Sequence, residues 1–363
     1  MAAVLTEKLK NPGDLTKKHL AEMLRMDDFS EVYTEADRVR RENAGDIVHL
    51  RAIIEFSNVC GRKCSYCGLN AGNTGLDRFR MSSEEILSTA AKAVGAGYRT
   101  IVLQSGEDEY YTRETLGDII AEIKKLKVGD TGERINPSVT VSVGERPDED
   151  YRYWRYKGAD RYLLKHETAD ETLYDKLHPC GGAAGNGRGG LAERIRCLKT
   201  LKSLGYEMGS GFMVGLPGLR EEELYEILVE DLLLLKALDC EMAGIGPYIP
   251  NPKTPLEQRL RNKSSQQYPE MPAAQRAELT RRCVALARIL LPKCNLPITT
   301  ALSVAEEQEN PFAFGANVIM NKVTPDEYKR AYEIYPANFP ETDIAGDRRK
   351  IEEAICMYNR KPL

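Results

Sequence analysis

The sequence predicts an α/β fold, a (β/α)8 barrel of the TIM type. Roughly eight runs of β-branched and apolar residues alternate with amphipathic, capped segments, which is the pattern of βαβ units around a parallel sheet. The chain has 363 residues, of which 42% are hydrophobic, enough for one large barrel. No G-x-G-x-x-G motif follows the first predicted strand, which disfavours a dinucleotide-binding open sheet.

The predicted elements follow one another in a regular order. Strand signals lie at residues 46–56, 100–106, 138–145, 161–167, 207–218, 241–250, 297–302 and 312–320. Helix signals lie at residues 82–97, 113–127, 148–159, 170–177, 190–205, 220–238 and 272–292. The segment 82–97 illustrates the helix evidence, because it begins with a Ser and Glu capping pattern and ends at a glycine.

Three parts of the chain are expected. Residues 1–45 are charged and helical in pattern, with Val32, Ala36 and Val39 on one face. Residues 46–340 form the barrel, and residues 341–363 a C-terminal helical extension.

Composition limits the partners and the compartment. The formal net charge is −4, from 51 basic and 55 acidic residues, so nothing favours nucleic acid or an anionic membrane surface as a partner. No apolar run approaches the roughly 18 residues of a membrane span, and the N-terminus lacks the apolar core of a signal peptide. Nine cysteines, an odd number and mostly scattered, favour the reducing cytoplasm over a disulfide framework.

Three cysteines directly after the first strand are the most informative motif. Cys60, Cys64 and Cys67 have the spacing C-x3-C-x2-C. Three thiolates can hold a four-iron cluster and leave one iron open to a small molecule. A zinc site completed by His178 or a remote cysteine is the alternative, but there is no second C-x-x-C or H-x3–5-H pair to support it.

Polar residues, a methionine and a proline close five of the predicted strands. These residues are Gln104, Ser105, Glu107, Asp108, Ser142, Glu145, His166, Glu167, Thr168, Met213, Pro217, Thr299 and Thr300. Because the carboxyl ends of barrel strands form the face that carries chemistry, we expect these residues to meet at one mouth.

The cysteine triplet, with Tyr66 just before its third cysteine, resembles the radical S-adenosylmethionine (SAM) superfamily. The resemblance implies that Cys60, Cys64 and Cys67 ligate a [4Fe–4S] cluster whose open iron binds the amino and carboxylate groups of SAM. It further implies reductive cleavage of SAM to a 5′-deoxyadenosyl radical, with Tyr66 near the adenine.

Longer segments narrow the resemblance. "LQSGED", "HETA", "GIGPYIPNP" and "PITTAL" occur in that order, within a similarity that covers most of residues 45–335. They resemble the HydE-type [FeFe]-hydrogenase maturases of the biotin-synthase-like group, with methylornithine synthase as a relative. This implies a small anionic substrate, an iron carbonyl cyanide species carrying cysteine, a reductant such as ferredoxin or flavodoxin, and other hydrogenase maturases as partners.

The resemblance also assigns roles to single residues. Glu107 would accept a hydrogen bond from the amino group of SAM, Glu167 would bind its ribose hydroxyls or amino group, and Arg194 would pair with its carboxylate. The implied cofactor-binding set is Tyr66, Gln104, Ser105, Glu107, Ser142, Glu145, Glu167 and Arg194. The implied catalytic set is Ser105, Glu107 and Met213. The implied substrate-binding set is Arg161, Lys165, Thr299 and Thr300.

Two departures from the family pattern limit the resemblance. Residues 301–320 contain no cysteine, so we expect a single cluster and no sulfur insertion. The glycine-rich insert at 178–190 lacks the Lys-Ser/Thr of a phosphate loop and is interpreted as a flexible loop. A HydE paralogue, a methylornithine-synthase-like mutase, a non-catalytic iron–sulfur scaffold and a structural zinc protein remain alternatives.

Overall fold

Parallel strands wrap around a central cavity in the computed structural model, which describes residues 8–9, 12–128, 136–179, 189–262, 270–305, 310–337 and 340–363. The strands are β1 (Ile47–Ser57), β2 (Thr100–Ser105), β3 (Ser138–Ser142), β4 (Arg161–Leu163), β5 (Glu207–Ser210), β6 (Met213–Val214), β7 (Met242–Ala243), β8 (Gly246–Pro247), β9 (Pro297–Ile298), β10 (Val318–Lys322) and β11 (Lys361–Pro362).

Helices surround this sheet, preceded by a 3-10 turn at Pro12–Asp14. They are α1 (Lys17–Leu24), α2 (Ser30–Ala44), α3 (Ser83–Gly95), α4 (Arg113–Lys125), α5 (Asp148–Tyr156), α6 (Glu171–Leu177), α7 (Leu191–Ser203), α8 (Glu221–Ala237), α9 (Pro255–Asn262), α10 (Ala273–Leu290), α11 (Thr300–Ala305), α12 (Asp326–Lys329) and α13 (Ile344–Met357). No helix in the described ranges is long and apolar enough to cross a bilayer.

The predicted (β/α)8 barrel is confirmed. Eight strands pair in the order β7-β5-β4-β3-β2-β1-β10-β9, and every pair is parallel. A bridge between Met242 and Asn295 joins the two ends of this path, with the Ala243 N–H donating to the Asn295 carbonyl at 3.0 Å. The barrel therefore closes on itself, and the carboxyl ends of its strands share one face.

Local sequence explains why these elements form where they do. β1 is buried along nearly its whole length because helices cover its outer face and its inner face lines the cavity. Ser82 caps α3 as predicted, accepting from the Glu85 N–H while the Glu85 carboxylate accepts from the Ser82 N–H. α10 is buried along most of its length because α2 and α8 pack against it.

Several predicted strands are longer than the observed ones, and two of them show the cause. The strand expected at 297–302 ends at Ile298, because the Thr299 hydroxyl accepts from the Leu302 N–H and the chain turns into α11. The strand expected at 241–250 divides into β7 and β8 around Gly244. β6 and β8 form a separate parallel pair above the barrel.

The two ends of the chain pack against the barrel. In the segment expected to be helical at 1–45, α1 contacts α8 and α10, and α2 contacts α10. In the segment 341–363, α13 packs on α3, and β11 then pairs with the amino end of β1. Cys180 and most of the glycine-rich insert lie outside the described residues.

Candidate active site above and inside the barrel

The cysteine loop leaves β1 at the carboxyl face and is held in shape by two polar side chains. Asn58 is fully buried; its amide donates to the Asp77 and Ala331 carbonyls at 2.7 and 2.8 Å and accepts from the Phe79 N–H at 2.8 Å. The Arg78 guanidinium donates to the Asn58 carbonyl at 2.6 Å and to other carbonyls of the loop. The sequence thus fixes a loop without regular structure through side chains that satisfy its backbone.

The three predicted cysteines form no disulfide, and each is partly exposed. The Cys60 sulfur accepts backbone N–H donors of Arg62 and Glu107, both at 3.4 Å. Burial, with a smaller contribution from the neighbouring charge of Cys60, raises the pKa of Cys64 to about 12. Burial also raises the pKa of Cys67 well above its ordinary value, followed by the charges of Cys64 and Cys60.

This donor set fits an iron–sulfur cluster better than a single ion. Among the described residues, no three His, Cys, Asp or Glu side chains come close enough to hold one metal ion. The cysteine sulfurs nevertheless lie near enough to raise one another's pKa, and backbone N–H groups point at one of them. A four-iron cube spreads its thiolates further apart than a mononuclear site does and is tuned by such N–H to sulfur contacts.

A network of two guanidinium groups and two carboxylates lies beside the cysteine loop. The Arg62 guanidinium contacts the carboxylates of Glu107 and Glu145, each at 2.5 Å. Arg194 contacts the other Glu145 oxygen at 2.5 Å and donates to the Lys165 carbonyl at 2.7 Å. The Glu107 carboxylate also accepts from the Glu145 N–H at 2.9 Å. Three of these four side chains were predicted; Arg62 was missed, although a cation between two cysteines is a visible signal.

Electrostatics keep this network ionised. Burial raises the pKa of Glu145, but the charges of Arg194 and Arg62 outweigh that effect and hold it below its ordinary value. Glu145 is therefore a carboxylate shared between two cations. Such a network can exchange its internal ion pairs for the amino and carboxylate groups of an amino-acid ligand.

Tyr66 is oriented by His178, which sequence reasoning had considered only as a zinc ligand. The Tyr66 hydroxyl lies 3.2 Å from the His178 Nε2 atom, and His178 Nδ1 lies 2.9 Å from the Tyr174 carbonyl. Since the carbonyl can only accept, Nδ1 carries the hydrogen, and Nε2 accepts from the tyrosine. Burial lowers the pKa of His178 to about 4, which agrees with this neutral ring.

A cavity of about 250 Å³ lies below the cysteine loop, inside the barrel. Predicted site residues that line it are Tyr66, Gln104, Lys165, Glu167, Met213, Thr299 and Thr300. Lining residues that sequence reasoning missed include Arg51, Glu55, Met242, Tyr248, Met320, Lys322, Tyr332 and Tyr335. The inward positions of β1 could have been found from strand alternation, because residues 51, 53 and 55 share one face.

The cavity contains two ion pairs and one further cation. Lys165 pairs with Glu167 at 2.9 Å, and Lys322 pairs with Glu55 at 2.7 Å. Arg51 is buried and forms no salt bridge with a described residue; one of its N–H groups points at the Met242 sulfur at 2.9 Å. Burial, with a smaller contribution from the charge of Arg161, lowers the pKa of Arg51 to about 9, so it is still a cation at neutral pH.

Several predicted residues lie away from the cavity. Arg161 begins β4 at the amino end of the barrel and pairs with Glu207 at 2.5 Å, so it does not line the cavity as expected from its period-two spacing with Lys165. The Ser105 hydroxyl donates to the Gly106 carbonyl at 2.7 Å. Ser142 pairs with Gln104 in the sheet but is not part of the cavity wall.

Comparison with known proteins identifies relatives along almost the whole chain. The family model of the radical SAM superfamily matches residues 54–231. The [FeFe] hydrogenase maturase subunit HydE of Thermotoga maritima is 45% identical over 337 residues, which cover 92% of this chain and 87% of that protein. The 3-methylornithine synthase of Methanosarcina acetivorans is 27% identical over 317 residues, 87% of this chain and 81% of that protein.

A solved structure has a similar fold. The crystal structure of methylornithine synthase (PylB) superposes with a TM-score of 0.76 at 23% identity, covering 99% of this chain and 97% of that chain. At this identity the likeness concerns the barrel and its added elements rather than the reaction.

Proposed function

This chain belongs to the radical SAM superfamily, within the family that includes HydE of Thermotoga maritima, and from that premise we propose that it acts in [FeFe]-hydrogenase maturation. The observation that carries the proposal is the 45% identity to HydE, extended over nearly all of both chains. The fold and the cavity beneath a three-cysteine loop support it.

As a radical SAM enzyme, the protein uses a [4Fe–4S] cluster and SAM. When bound, the cluster supplies the electron that cleaves SAM reductively to a 5′-deoxyadenosyl radical. Cys60, Cys64 and Cys67 would hold the cluster, which leaves one iron for SAM. The reducing cytoplasm and a low-potential donor such as ferredoxin or flavodoxin complete this proposal.

The charged network beside the cysteines is proposed to bind the amino-acid end of SAM. An ammonium group pairs with Glu107 or Glu145, and a carboxylate pairs with the guanidinium of Arg194 or Arg62. These four groups are already arranged as adjacent ion pairs, so a zwitterion can enter with little change in net charge. Tyr66, held by His178, and Glu167 would contact the adenosine.

The cavity is proposed to hold the substrate, a small anionic precursor of the hydrogenase cluster. Arg51, Lys165 and Lys322 outnumber the carboxylates Glu55 and Glu167 among the charged groups of its wall. A substrate held inside the barrel would meet the carbon radical away from bulk water, which would protect the radical from side reactions. Other hydrogenase maturases would supply or receive the substrate.

The proposal is tested by hydrogenase activation. Reconstituted protein, SAM, a reductant and the other maturases are mixed anaerobically with the apo-hydrogenase, and hydrogen evolution is measured. We expect activation with this chain and none with its Cys64→Ala variant. Cleavage of SAM by the wild-type chain without any activation would contradict the maturation role while leaving the radical SAM assignment intact.

A mutase acting on an amino acid is the second candidate. The 27% identity to 3-methylornithine synthase and the coexistence of carboxylates and cations in the cavity favour it. Mass spectrometry after incubation with SAM, reductant and free L-amino acids would reveal an isomerised product.

A further inference from the structure

Glu167 has a backbone conformation that L-residues other than glycine rarely adopt. Its φ angle is 66°, in the left-handed region. Among the described residues of the predicted site, Glu167 alone has a positive φ angle. Its side chain nevertheless enters the cavity and pairs with Lys165. Neighbouring contacts must therefore hold the chain on both sides of this residue.

One side is held through His166 and Ser210, both fully buried. The Ser210 hydroxyl donates to the Leu164 carbonyl at 3.0 Å. Its oxygen accepts from the His166 backbone N–H at 3.2 Å and lies 2.9 Å from His166 Nδ1. Because the single hydroxyl hydrogen is used on Leu164, Nδ1 must carry the ring hydrogen.

The other side is held by Asp231 of α8. Its Oδ1 atom accepts from the Ala169 N–H at 2.5 Å and lies 3.3 Å from the bare Nε2 of His166. Asp231 is fully buried, and its Oδ2 atom has no hydrogen-bond partner among the described residues. A carboxylate without a cation at such a place is unfavourable, so the neutral acid is the stable form.

Proton affinities agree with a neutral pair. Burial raises the pKa of Asp231 well above its ordinary value, and burial lowers the pKa of His166 to about 3. Neither side chain lines the cavity. Their contacts lead instead to the backbone on either side of Glu167.

We infer that Ser210, His166 and Asp231 form a clamp whose task is to keep Glu167 in its left-handed conformation with its carboxylate in the cavity. The three are positioning residues that act through Glu167. The functional part of this inference rests on the proposed role of Glu167 in binding SAM. The conformational part rests on the φ angle of Glu167 and on the hydrogen bonds of the three side chains. These bonds act alongside those that the Glu167 N–H donates to the Gly211 carbonyl and that the Glu167 carbonyl accepts from the Met213 N–H.

The conformational part is tested by stability. Asp231→Leu removes the oxygen that accepts the hydrogen bond from the Ala169 N–H. Asp231→Asn keeps an acceptor there, and its uncharged amide closely matches the neutral acid form of the native side chain. Asp231→Leu is then combined with Glu167→Ala, which keeps the backbone strain, and with Glu167→Gly, which removes it. Without the clamp, relaxation of residue 167 recovers the strain only in the alanine background. We therefore expect Asp231→Leu to lower the urea midpoint more in the glycine background than in the alanine background, and Asp231→Asn to lower it little.

An equal loss in both backgrounds would overturn the clamp, because a merely structural role does not depend on residue 167. If Asp231→Leu does not fold, Ser210→Ala replaces it in the same double-mutant cycle. That substitution removes the hydroxyl that contacts His166 and the Leu164 carbonyl on the other side of Glu167. Tyr206→Phe is the matched control: it loses a buried hydrogen bond to the Tyr151 carbonyl at 2.6 Å without contacting the clamp.

The functional part is tested by SAM affinity of the reconstituted protein. Glu167→Ala is expected to weaken SAM binding roughly ten-fold. Asp231→Leu should weaken it in the native background and add nothing in the Glu167→Ala background, while Tyr206→Phe leaves it unchanged. Unchanged affinity in Glu167→Ala would refute the cofactor role of Glu167; independent, multiplying effects of the two substitutions would refute positioning through Glu167.

Discussion

At the scale of single residues, the site depends on buried charges that satisfy one another. Glu145 lies between Arg62 and Arg194 and is the shared anion of the network beside the cysteines. Removing one partner from such a buried network leaves the remaining charges without a counter-charge. The resulting loss of folding stability is larger than the net stabilisation that the ion pairs provide.

Replacing Glu145 with Gln should therefore destabilise the fold by roughly 3 kcal/mol at neutral pH. The pKa of Glu145 in the folded protein lies below its ordinary value of 4.5. The stabilisation that its carboxylate gives to the folded state is therefore complete above pH 4.5 and is lost as the pH falls through the pKa of the folded state. The variant should show a shallower loss of stability below about pH 4.5. Urea unfolding of both proteins at pH values above and below 4.5 measures the free energy of unfolding and its pH dependence.

Glu149→Gln is the control for this substitution, because Glu149 is an exposed carboxylate on α5. It should leave both the stability and its pH dependence nearly unchanged. Equal behaviour of the two variants would show that the network does not stabilise the protein.

Arg51 is the other residue whose charge predicts a phenotype. Arg51→Met removes a buried cation without a salt-bridge partner in the described chain, so stability should not fall, whereas binding of an anionic substrate should be lost. We expect hydrogenase activation to drop at least about ten-fold. SAM cleavage, measured as 5′-deoxyadenosine formation, should persist.

Arg161→Met provides the comparison, since Arg161 lies at the amino end of the barrel and outside the cavity wall. It should retain most of the activation. Normal activation by Arg51→Met, or a matching loss in Arg161→Met, would contradict a substrate-binding role for the cavity cation.

At the scale of elements, the cavity depends on two neighbouring parallel strands whose continuations approach each other closely at glycines. A Cβ atom at Gly211 would lie 2.2 Å from the Gly244 carbonyl, and the φ angle of Gly211 is 157°. Gly211 and Gly244 thus allow β5 and β7 to continue into the separate pair β6 and β8, which carries Met213 to the cavity.

Gly211→Ala should accordingly destabilise the protein by several kcal/mol and disturb SAM binding. Gly95→Ala is its control, because Gly95 ends α3 with open space around its Cβ position. That change should stabilise slightly, by about 0.5 kcal/mol. Thermal unfolding of both variants tests these two expectations. An unchanged unfolding temperature in Gly211→Ala would show that Gly211 and Gly244 do not approach each other closely.

At the scale of the whole molecule, local sequence patterns were sufficient to predict the barrel, because βαβ repetition and helix caps depend on residues that are close together in the sequence. The cysteine loop, the strand-end residues and most of the charged network followed from the same reasoning and from the family resemblance. Lys322 was missed because β1 and β10 are distant in the sequence and must be adjacent before their inward faces define a cavity. Arg51 and Glu55 lie on one face of β1, which strand alternation alone could have given. Arg161 was misplaced because period two gives the face of a strand but not the height along the barrel.

The measurement that tests the central claim most directly is electron paramagnetic resonance of the anaerobically reconstituted, reduced protein with and without SAM. The account predicts a [4Fe–4S] signal that requires Cys60, Cys64 and Cys67, changes shape when SAM is added, and accompanies formation of 5′-deoxyadenosine. A reduced cluster whose signal SAM does not alter, or a cluster that persists in the Cys60→Ala variant, would contradict it.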